Sequence, residues 1–378
     1  LIGDAAFAAG HSSGIEPGAM EAVRECGIML KAPLNTPSGE GFRSLNVTMR
    51  SALGLWANVR PAVSYPQLSS PMAGRNLTLF RENTEGMYVG LTDILNTQDK
   101  AFFEQRFGEA FAALDYKGDG TESFGVQIIS DKASERIIRA SMDFARANRS
   151  AEVHAMSKPN ILKATDGRFK NMYSDLAAAM SDVPSRFSIA DAGFGQSAAY
   201  PKDRGVIVTQ NLYGDFLSDV MAFLAHGSLG LAPSVNIGGD KDHPIAMFEA
   251  VHGTAPDIAG QGKANPTAFL LSALMMLKFT GHEAEAQNIH DALMKTWEDG
   301  MATGDVWLSK EQEQNEDFVN ALNALIELKA QGAGHDDYFN KYAEVLSMYE
   351  NRKEIRAERG SLNTVEFTKA VIGNLGKK

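Results

Sequence analysis

The stretch GVIVTQNLYGDFLSDVMAFLAHG, residues 205–227, indicates the class of fold to which the chain belongs. It begins with a compact apolar run that ends in polar residues, which is the pattern of a short buried strand. The remainder is typical of a helix, and Asp215 and Asp219 lie four residues apart on one face near its start. A strand that leads directly into a helix is the building unit of α/β proteins.

The same alternation recurs along the chain. Further short strands are predicted at 27–33, 186–192 and 246–253. Helical patterns occupy residues 131–148 and the segment that begins at Pro266. Alternating strands and helices predict an α/β fold with a largely parallel sheet. No GxGxxG sequence follows a predicted strand, so a standard Rossmann dinucleotide site has no support.

Length and charge limit the classes of function. A chain of 378 residues predicts two domains, because single cores stop growing near ~250–300 residues. The net charge of -11 argues against nucleic acid or an anionic membrane as the main partner. No apolar run reaches the ~18 residues that span a bilayer, and the start of the chain shows no signal-peptide pattern. We therefore expect a soluble intracellular protein, in the cytoplasm or, as the alternative, in the mitochondrial matrix.

Cys26 is the single cysteine, which excludes an intramolecular disulfide. It lies where a helical pattern runs into the strand predicted at 27–33. We expect it to be a small buried apolar residue, which is the usual role of a free cysteine.

Two segments carry arginines that suit an anionic ligand. In SLNVTMRSALGLWANVRP, residues 44–61, Asn46 and Arg50 share a helical face with Ser44, which takes the N-cap position, and Arg60 ends the segment. A hydroxyl, an amide and guanidinium groups suit a small polycarboxylate, because arginine binds a carboxylate with two hydrogen bonds. The simpler interpretation is a capped amphipathic helix with surface arginines.

The stretch LFRENTEGMYVG, residues 79–90, places an arginine, two glutamates and a tyrosine close together. These are Arg81, Glu82, Glu85 and Tyr88. Taken alone, the stretch is equally typical of a solvated exit from a strand.

A second group of residues suits a hard metal ion and a base. Asp215 and Asp219 are either solvated acids of a first helical turn or ligands for Mg²⁺ or Mn²⁺, and Asp191 at the end of a predicted strand offers a third carboxylate. Lys158, in SKPNILKATDG, is either a solvated lysine or a base, because a neighbouring divalent cation would lower its pKa.

The loop EAVHGTAPDIAGQGKANPTA, residues 249–268, combines small residues with Asp257 and Asn265. Glycine and alanine allow a backbone to approach a flat ligand closely. A carboxylate in such a loop could bind a ribose diol and would repel a 2′-phosphate. An ordinary tight loop is the alternative.

Together these segments resemble the β-decarboxylating dehydrogenases, the family of isocitrate and 3-isopropylmalate dehydrogenases. The matching motifs stand in the family's order: SLNVTMR, NVRP, RENTEG-Y, K-N-LK-TDG, NLYGD-LSD and HGTAPDIAG---ANPTA. The resemblance covers about residues 20–305 and resumes at SLNTVEFTKAVIGNL. It implies the two-domain isopropylmalate-dehydrogenase-like fold, with a central mixed, largely parallel sheet flanked by helices and the active site in the cleft between the domains.

The resemblance also implies how the chain is divided. The implied parts are a large cofactor-binding domain (1–56 and 226–378, with a helical insertion at about 307–360), a small domain for substrate, metal and dimer contacts (57–85 and 131–225) and a clasp-like dimer segment (86–130).

The resemblance assigns roles to the site residues. Tyr88 would be the general acid that protonates the enol carbon after CO₂ leaves, and Lys158 the base for the 2-hydroxyl. The implied substrate residues are Ser44, Asn46, Arg50, Arg60 and Arg81, and the implied Mg²⁺ or Mn²⁺ ligands are Asp191, Asp215 and Asp219. The implied cofactor residues are Thr36, Glu249, His252, Gly253, Thr254, Ala255, Asp257, Ile258 and Asn265.

The implied reaction is the oxidative decarboxylation of isocitrate to 2-oxoglutarate and CO₂. Ser44 and Asn46 resemble the pair that isocitrate enzymes use for the third carboxylate, and Asp257 with Ile258 resembles the NAD-preferring pattern. In this family Lys158 and one metal aspartate would enter from a second subunit, which implies a homodimer with shared sites, possibly within a higher oligomer. The alternatives are a 3-isopropylmalate or homoisocitrate dehydrogenase and a non-catalytic regulatory subunit.

Overall fold

The computed structural model describes most of the chain. The described residues are 1–34, 44–306 apart from positions 71, 73, 200, 202 and 241, residue 308, scattered positions between 320 and 348, and 361–377.

Ten strands and twelve helices are defined within the described residues. The strands are β1 (Ile28–Lys31), β2 (Leu55–Val63), β3 (Asn76–Glu82), β4 (Thr92–Ile94), β5 (Ser123–Gly125), β6 (Val153–Ser157), β7 (Ser185–Ile189), β8 (Gly205–Thr209), β9 (Pro233–Gly239) and β10 (Pro244–Ala250). The helices are α1 (Asp4–Ala8), α2 (Ala19–Cys26), α3 (Leu45–Ala52), α4 (Thr97–Phe107), α5 (Glu109–Ala112), α6 (Asp131–Ala147), α7 (Asp166–Ala179), α8 (Ala190–Ala199), α9 (Asn211–His226), α10 (Thr267–Phe279), α11 (Glu283–Glu298) and α12 (Thr364–Asn374).

Eight strands form one central sheet in the order β1-β10-β9-β2-β3-β8-β6-β7. The pairs β1–β10, β3–β8, β8–β6 and β6–β7 are parallel. The central pairs β10–β9, β9–β2 and β2–β3 are antiparallel. The prediction of an α/β fold with a mixed sheet is confirmed. Four of these seven strand pairs are parallel, because the three pairs in the middle of the sheet are antiparallel.

Helices cover both faces of this sheet. On β8, Val206 and Val208 join the core cluster that contains residues of α6 and α7. Ile207 points to the opposite face and joins the cluster of Leu217 and Met221 from α9. Successive residues of a strand point to opposite faces, so a strand that is covered on both faces is apolar throughout. This packing explains the uninterrupted apolar run from which the strand was predicted.

Residues 86–130 form a separate small unit. The strands β4 and β5 pair with each other in an antiparallel ribbon outside the main sheet. Beside the ribbon, Phe103 of α4 contacts the rings of Phe107, Phe111 and Phe124 at centroid distances of 5.1–6.1 Å. These rings line an open apolar hollow of about 450 Å³. The role of this segment in dimer formation stays a prediction.

The two predicted domains share the central sheet. Their boundary at 56/57 falls within β2, and the boundary at 225/226 falls at the last residue of α9. The division therefore stays a prediction. The predicted insertion at about 307–360 lies largely outside the described residues, where the described positions from 320 to 348 are helical.

Cys26 corrects one expectation. The helix α2 ends at Cys26, and Gly27 adopts a left-handed conformation (φ 72°) before β1 begins. The predicted change from helix to strand is therefore confirmed, but the Cys26 side chain is exposed. The buried stripe of α2 runs through Met20 and Val23, and the next position of that stripe is Gly27. No helix among the described residues is long and apolar enough to cross a bilayer.

Candidate active site

The register of the central strands places the polar residues of the site on one face of the sheet. Asn58 pairs with Arg81 on one side and with Asn236 on the other, and Lys31 pairs with Glu249. Directly opposed residues point to the same face, and so do residues two apart in one strand. Because α9 packs on this face, its aspartates meet the strand arginines.

Arg60 of β2 and Arg81 of β3 both reach the first two turns of α9. The Arg81 guanidinium donates to Asp215 and, through Nε, to Asn211 Oδ1 at 2.9 Å. The Arg60 guanidinium lies 3.6 Å from Asp215 Oδ1 and 3.4 Å from Asp219 Oδ1. Arg81 also lies against Gly214, where an added Cβ would approach its side chain to 2.6 Å, so the glycine is needed for this close contact. The structure therefore joins the predicted arginines and the predicted acid pair.

A second charged cluster lies at the other end of the same face. Arg50 of α3 donates to Glu249 Oε1 at 2.9 Å, and Lys31 Nζ lies 2.6 Å from Glu249 Oε2. Burial opposes ionisation of Glu249, but Arg50 and Lys31 outweigh it and lower the pKa of Glu249 to about 2. Lys31 was missed at the sequence level. The available signal was a lysine inside the apolar run GIMLKAP, where only a paired charge can be buried.

The arginines carry more positive charge than their partners balance. Burial, together with like-charge repulsion from Arg81 and Arg50, lowers the pKa of Arg60 to about 9. Arg50 Nε and Arg81 Nη2 are buried and have no hydrogen-bond partner among the described residues. The same holds for Asn46 Oδ1. Asn46 Oδ1 is an acceptor, but the two arginine nitrogens are donors; buried donors without a partner are costly, so they suit an anionic ligand that accepts their hydrogen bonds.

Two adjoining cavities connect the predicted substrate and cofactor residues. One of about 80 Å³ is lined by Asn46, Arg50, Arg60, Glu249 and His252, among others. The other, of about 150 Å³, also includes Arg50 in its lining and reaches the tyrosine of the RENTEG-Y motif.

Ser44 stands at the predicted N-cap position of α3. Its hydroxyl makes no capping hydrogen bond to the helix, and the residue is only partly buried.

Tyr88 lies between the arginines and the acid pair. Its hydroxyl donates to Asp215, and the Arg81 guanidinium carbon lies 5.0 Å from the centre of its ring. Burial and the bond to Asp215 raise the pKa of Tyr88. Burial also raises the pKa of Asp219. For Asp215 burial acts in the same direction, but Arg81 and Tyr88 outweigh it and hold the pKa below its ordinary value.

Two glutamates of the same stretch stabilise local structure. Glu82 accepts hydrogen bonds from the Thr84 and Glu85 backbone amides, and so holds the turn after β3. Glu85 accepts from the backbone and the hydroxyl of Ser130 at the start of α6. Within residues 79–90, the two glutamates thus hold local structure, whereas Arg81 and Tyr88 belong to the candidate site.

Lys158 and Asp191 form a separate group. Lys158 Nζ lies 2.5 Å from Asp191 Oδ1, and this pair lowers the pKa of Asp191. Both groups stand at the C-terminal ends of parallel strands, β6 and β7. Within the described part of one chain, no three acidic, histidine or cysteine side chains gather into a metal site. A single chain therefore does not unite Asp191 with Asp215 and Asp219.

The predicted nucleotide loop follows β10. Ala255 adopts a left-handed conformation (φ 45°), and a single 3₁₀ turn, Pro256–Ile258, exposes Asp257. Asn265 is buried; its amide donates to Asp305 Oδ2 at 3.1 Å, and its Oδ1 accepts from the Thr267 amide at 3.0 Å. The Asn265 side chain is thus engaged with Asp305 and Thr267 within the protein. Gly253 and Thr254 are exposed in this loop, whereas Thr36 lies outside the described residues.

Comparison with known proteins shows the family of the chain. The family model described as isocitrate/isopropylmalate dehydrogenase matches residues 1–322. The chain belongs to the isocitrate/isopropylmalate dehydrogenase family.

Individual relatives carry both cofactor names. The chain is 40% identical over 307 residues to a protein from Rickettsia bellii named isocitrate dehydrogenase [NADP], covering 81% of this chain and 58% of the relative. It is 39% identical over 292 residues to isocitrate dehydrogenase [NAD] subunit 2, mitochondrial, from Saccharomyces cerevisiae, covering 76% and 72%. The chain thus spans little more than half the length of the Rickettsia relative.

A solved structure shows the same fold. The crystal structure of isocitrate dehydrogenase from Methylococcus capsulatus aligns with a TM-score of 0.75 and 32% sequence identity, over 99% of this chain and 88% of that chain.

Proposed function

We propose that the chain catalyses the oxidative decarboxylation of isocitrate to 2-oxoglutarate and CO₂ with reduction of NAD. The observation that carries the proposal is the distribution of buried charge. Glu249 is shared by Lys31 and Arg50, and Asp215 is shared by Arg60 and Arg81. Asp219 faces Arg60 alone, so the four cations outnumber the three carboxylates by one, and the open hydrogen-bond donors suit a ligand with several carboxylates.

The chain's own residues supply binding and proton transfer. Arg50, Arg60 and Arg81 would hold the carboxylates common to malate-type substrates, and Asn46 and Ser44 would contact the third carboxylate of isocitrate. Tyr88 keeps its proton at neutral pH, because burial and Asp215 raise its pKa. It can therefore protonate the carbon from which CO₂ departs. Lys158 would accept the proton of the 2-hydroxyl.

Asp215 and Asp219 fit a divalent cation. Their side chains are 34% and 49% exposed, and carboxylate oxygens are the ligands that Mg²⁺ and Mn²⁺ prefer. Asp191 of a second subunit would complete the set. When bound, such a cation would polarise the 2-hydroxyl and stabilise the negative charge that follows loss of CO₂.

The choice between NAD and NADP is proposed from Asp257. Its exposed carboxylate in the nucleotide loop would accept hydrogen bonds from a ribose diol and repel a 2′-phosphate. We expect Asp257→Lys with Ile258→Tyr to raise the ratio of kcat/KM for NADP over NAD by about two orders of magnitude, because a like-charge contact becomes an attractive one. Steady-state kinetics with both dinucleotides measure this ratio.

A matched control for this change is Asp242→Lys. Asp242 lies in the exposed turn between β9 and β10, so its replacement makes the same charge change away from the nucleotide loop. An unchanged cofactor ratio in the double variant would contradict the assignment of Asp257.

We also propose a homodimer with shared sites, possibly within a higher oligomer. Lys158 and Asp191 pair with each other apart from Asp215 and Asp219, which is what a site completed by a second subunit requires. The exposed apolar residues of α9 would lie in the contact. They are Phe216, Val220 and Phe223.

Mixing two inactive variants tests the sharing. Lys158→Met and Tyr88→Phe are each expected to be nearly inactive. After both are unfolded and refolded together, mixed dimers contain one site with neither change, so activity should return. Each variant refolded alone is the control. If mixed dimers form and the mixture stays as inactive as its components, the sharing of Lys158 between subunits is wrong.

The reaction itself is tested by the absorbance of reduced nicotinamide. The purified chain is mixed with Mg²⁺ and either NAD or NADP, and with isocitrate, 3-isopropylmalate or homoisocitrate. We expect the fastest reduction with isocitrate and NAD. Faster reduction with another acid would favour one of the sister dehydrogenases. No reduction under any of these conditions would favour a non-catalytic regulatory subunit.

A further inference from the structure

A chain of buried hydrogen bonds connects the two charged clusters of the site. Arg60 Nε donates to Asn58 Oδ1 at 2.5 Å, and Asn58 Nδ2 donates to Asn236 Oδ1 at 2.9 Å. Asn236 Nδ2 then donates to Glu249 Oε1 at 2.7 Å. Both asparagines are 0% exposed. The chain thus runs across β2, β9 and β10 without reaching solvent.

The sheet register makes this chain possible. Asn58 and Asn236 are directly opposed on β2 and β9, and Asn236 is opposed to Met247 on β10. Arg60 and Glu249 lie two residues beyond Asn58 and Met247, so they point to the same face. Since one face holds all these side chains, each amide can bridge to the next strand.

All the donors point in one direction. A cation begins the chain and an anion ends it, so the charges at both ends polarise the amides in the same sense. If either amide were rotated by half a turn, its NH₂ group would face another donor and its oxygen would face another acceptor. The orientations of Arg60 and Glu249 are therefore linked, because only one orientation of the two amides makes all three hydrogen bonds between them.

Stability alone does not explain this arrangement. Replacing buried polar groups by apolar side chains of similar volume is often neutral or stabilising, whereas removing one partner is costly. Two buried amides at these positions therefore do not raise stability, and their presence is explained if the orientation of Arg60 and Glu249 matters for function.

We propose that Asn58 and Asn236 are positioning residues that couple substrate binding to dinucleotide binding. This inference rests on the proposed function, in which Arg60 binds a substrate carboxylate and Glu249 lies on the nicotinamide side. A carboxylate that fixes the Arg60 guanidinium also fixes the amides and the Glu249 carboxylate. The dinucleotide then meets a group that is already ordered, which lowers the entropic cost of its binding.

Arg50 provides a second, direct connection to Glu249. It donates to Glu249 Oε1 and lines the same cavity as Arg60. Loss of the asparagines should therefore reduce the coupling and leave part of it in place.

The coupling can be measured as a ratio of dissociation constants. NADH is titrated, with its fluorescence as the signal, in the absence and presence of saturating isocitrate and Mg²⁺. NADH cannot accept a further hydride, so no turnover occurs. For the wild-type chain we expect isocitrate to tighten NADH binding about tenfold, and NADH to tighten isocitrate binding by the same factor. For Asn236→Leu we expect this factor to fall to about two or three.

Two further variants separate coupling from general damage. Asn58→Val removes the bonds to Arg60 and to Asn236 but keeps the bond from Asn236 to Glu249; valine suits a strand position, and the factor should also fall. Asn374→Leu removes a buried amide that donates to Thr296 between α11 and α12, remote from the site, and should leave the factor unchanged. A lesion that merely loosens the fold weakens both affinities and does not alter their ratio.

The outcomes distinguish the inference from the function on which it rests. If the wild-type chain binds both ligands but isocitrate does not change its affinity for NADH, the coupling is absent and the inference is wrong. An unchanged factor in folded Asn236→Leu or Asn58→Val also overturns it. Failure of the wild-type chain to bind isocitrate or NADH would instead count against the proposed function.

Discussion

Replacing Arg81 with methionine is expected to lower kcat/KM for isocitrate about a thousandfold. Arg81 is 0% exposed, donates to Asp215 and has one nitrogen, Nη2, without a partner among the described residues. Methionine would remove the proposed contact with a substrate carboxylate, and it leaves the Asp215 carboxylate without its closest cation. Truncating one partner of a buried, hydrogen-bonded charge contact costs ~2–5 kcal/mol of binding free energy, and each ~1.4 kcal/mol is a factor of ten in kcat/KM.

Two companion variants sharpen this prediction. Arg81→Lys keeps the charge but loses the planar fork, so it should recover only part of the activity. Arg139→Met removes an exposed arginine that pairs with Glu135 on α6, and should have no effect on kcat/KM.

The Asp215 carboxylate provides a second readout. Burial raises the pKa of Asp215, but Arg81, Tyr88 and Arg60 together outweigh it and keep that pKa low, with Arg81 contributing most among them. Without Arg81, the loss of activity on acidification should begin at a higher pH. Wild-type kcat/KM in folded Arg81→Met would contradict the assignment of Arg81 to the substrate.

Replacing Tyr88 with phenylalanine is expected to lower kcat by about two to three orders of magnitude, while the affinity for isocitrate changes little. A positioned general acid contributes ~10²–10⁴-fold, and phenylalanine keeps the ring beside Arg81 while losing the proton. In the proposed reaction this proton is used after hydride transfer, so reduced nicotinamide should appear in a rapid burst, followed by slow turnover. Rapid-mixing absorbance measures the burst, and calorimetry measures the affinity.

Tyr116→Phe is the matched control for this variant. Tyr116 lies in the segment 86–130 against Phe111, and the loss of its hydroxyl should leave both the burst and the steady rate unchanged. If Tyr88→Phe retained the wild-type steady rate, Tyr88 could not be the general acid. A slow rate without a burst would place its role before hydride transfer.

Four strands of the central sheet, β1, β7, β8 and β10, were predictable from sequence, whereas β2, β3, β6 and β9 were not. The strands β1, β7, β8 and β10 each contain a short apolar run; β8 is buried at every position, whereas β7 at the edge of the sheet is only partly buried. By contrast, β2 and β9 contain Asn58, Arg60 and Asn236, whose polar side chains break that pattern although they are buried. The polar residues of the site therefore interrupt the apolar pattern from which these strands would otherwise have been predicted.

The candidate site was predictable where helical spacing groups its residues. Asn46 with Arg50 and Asp215 with Asp219 are each four apart on a helix. The first pair lines the cavity of about 80 Å³, and the second pair faces Arg60. Lys31 was not identified, because a strand register is needed to bring it to Glu249. Pairing between strands depends on the whole sheet, and no local pattern encodes it.

The exposed position of Cys26 makes the chain suited to site-specific labelling. One accessible thiol per chain, at the end of α2, accepts a single maleimide dye without any engineered cysteine. Mixing donor-labelled with acceptor-labelled chains would then report subunit exchange by energy transfer. The same preparation would give the lifetime of the assembly, and so show whether the proposed shared sites persist through many turnovers or form and separate between them.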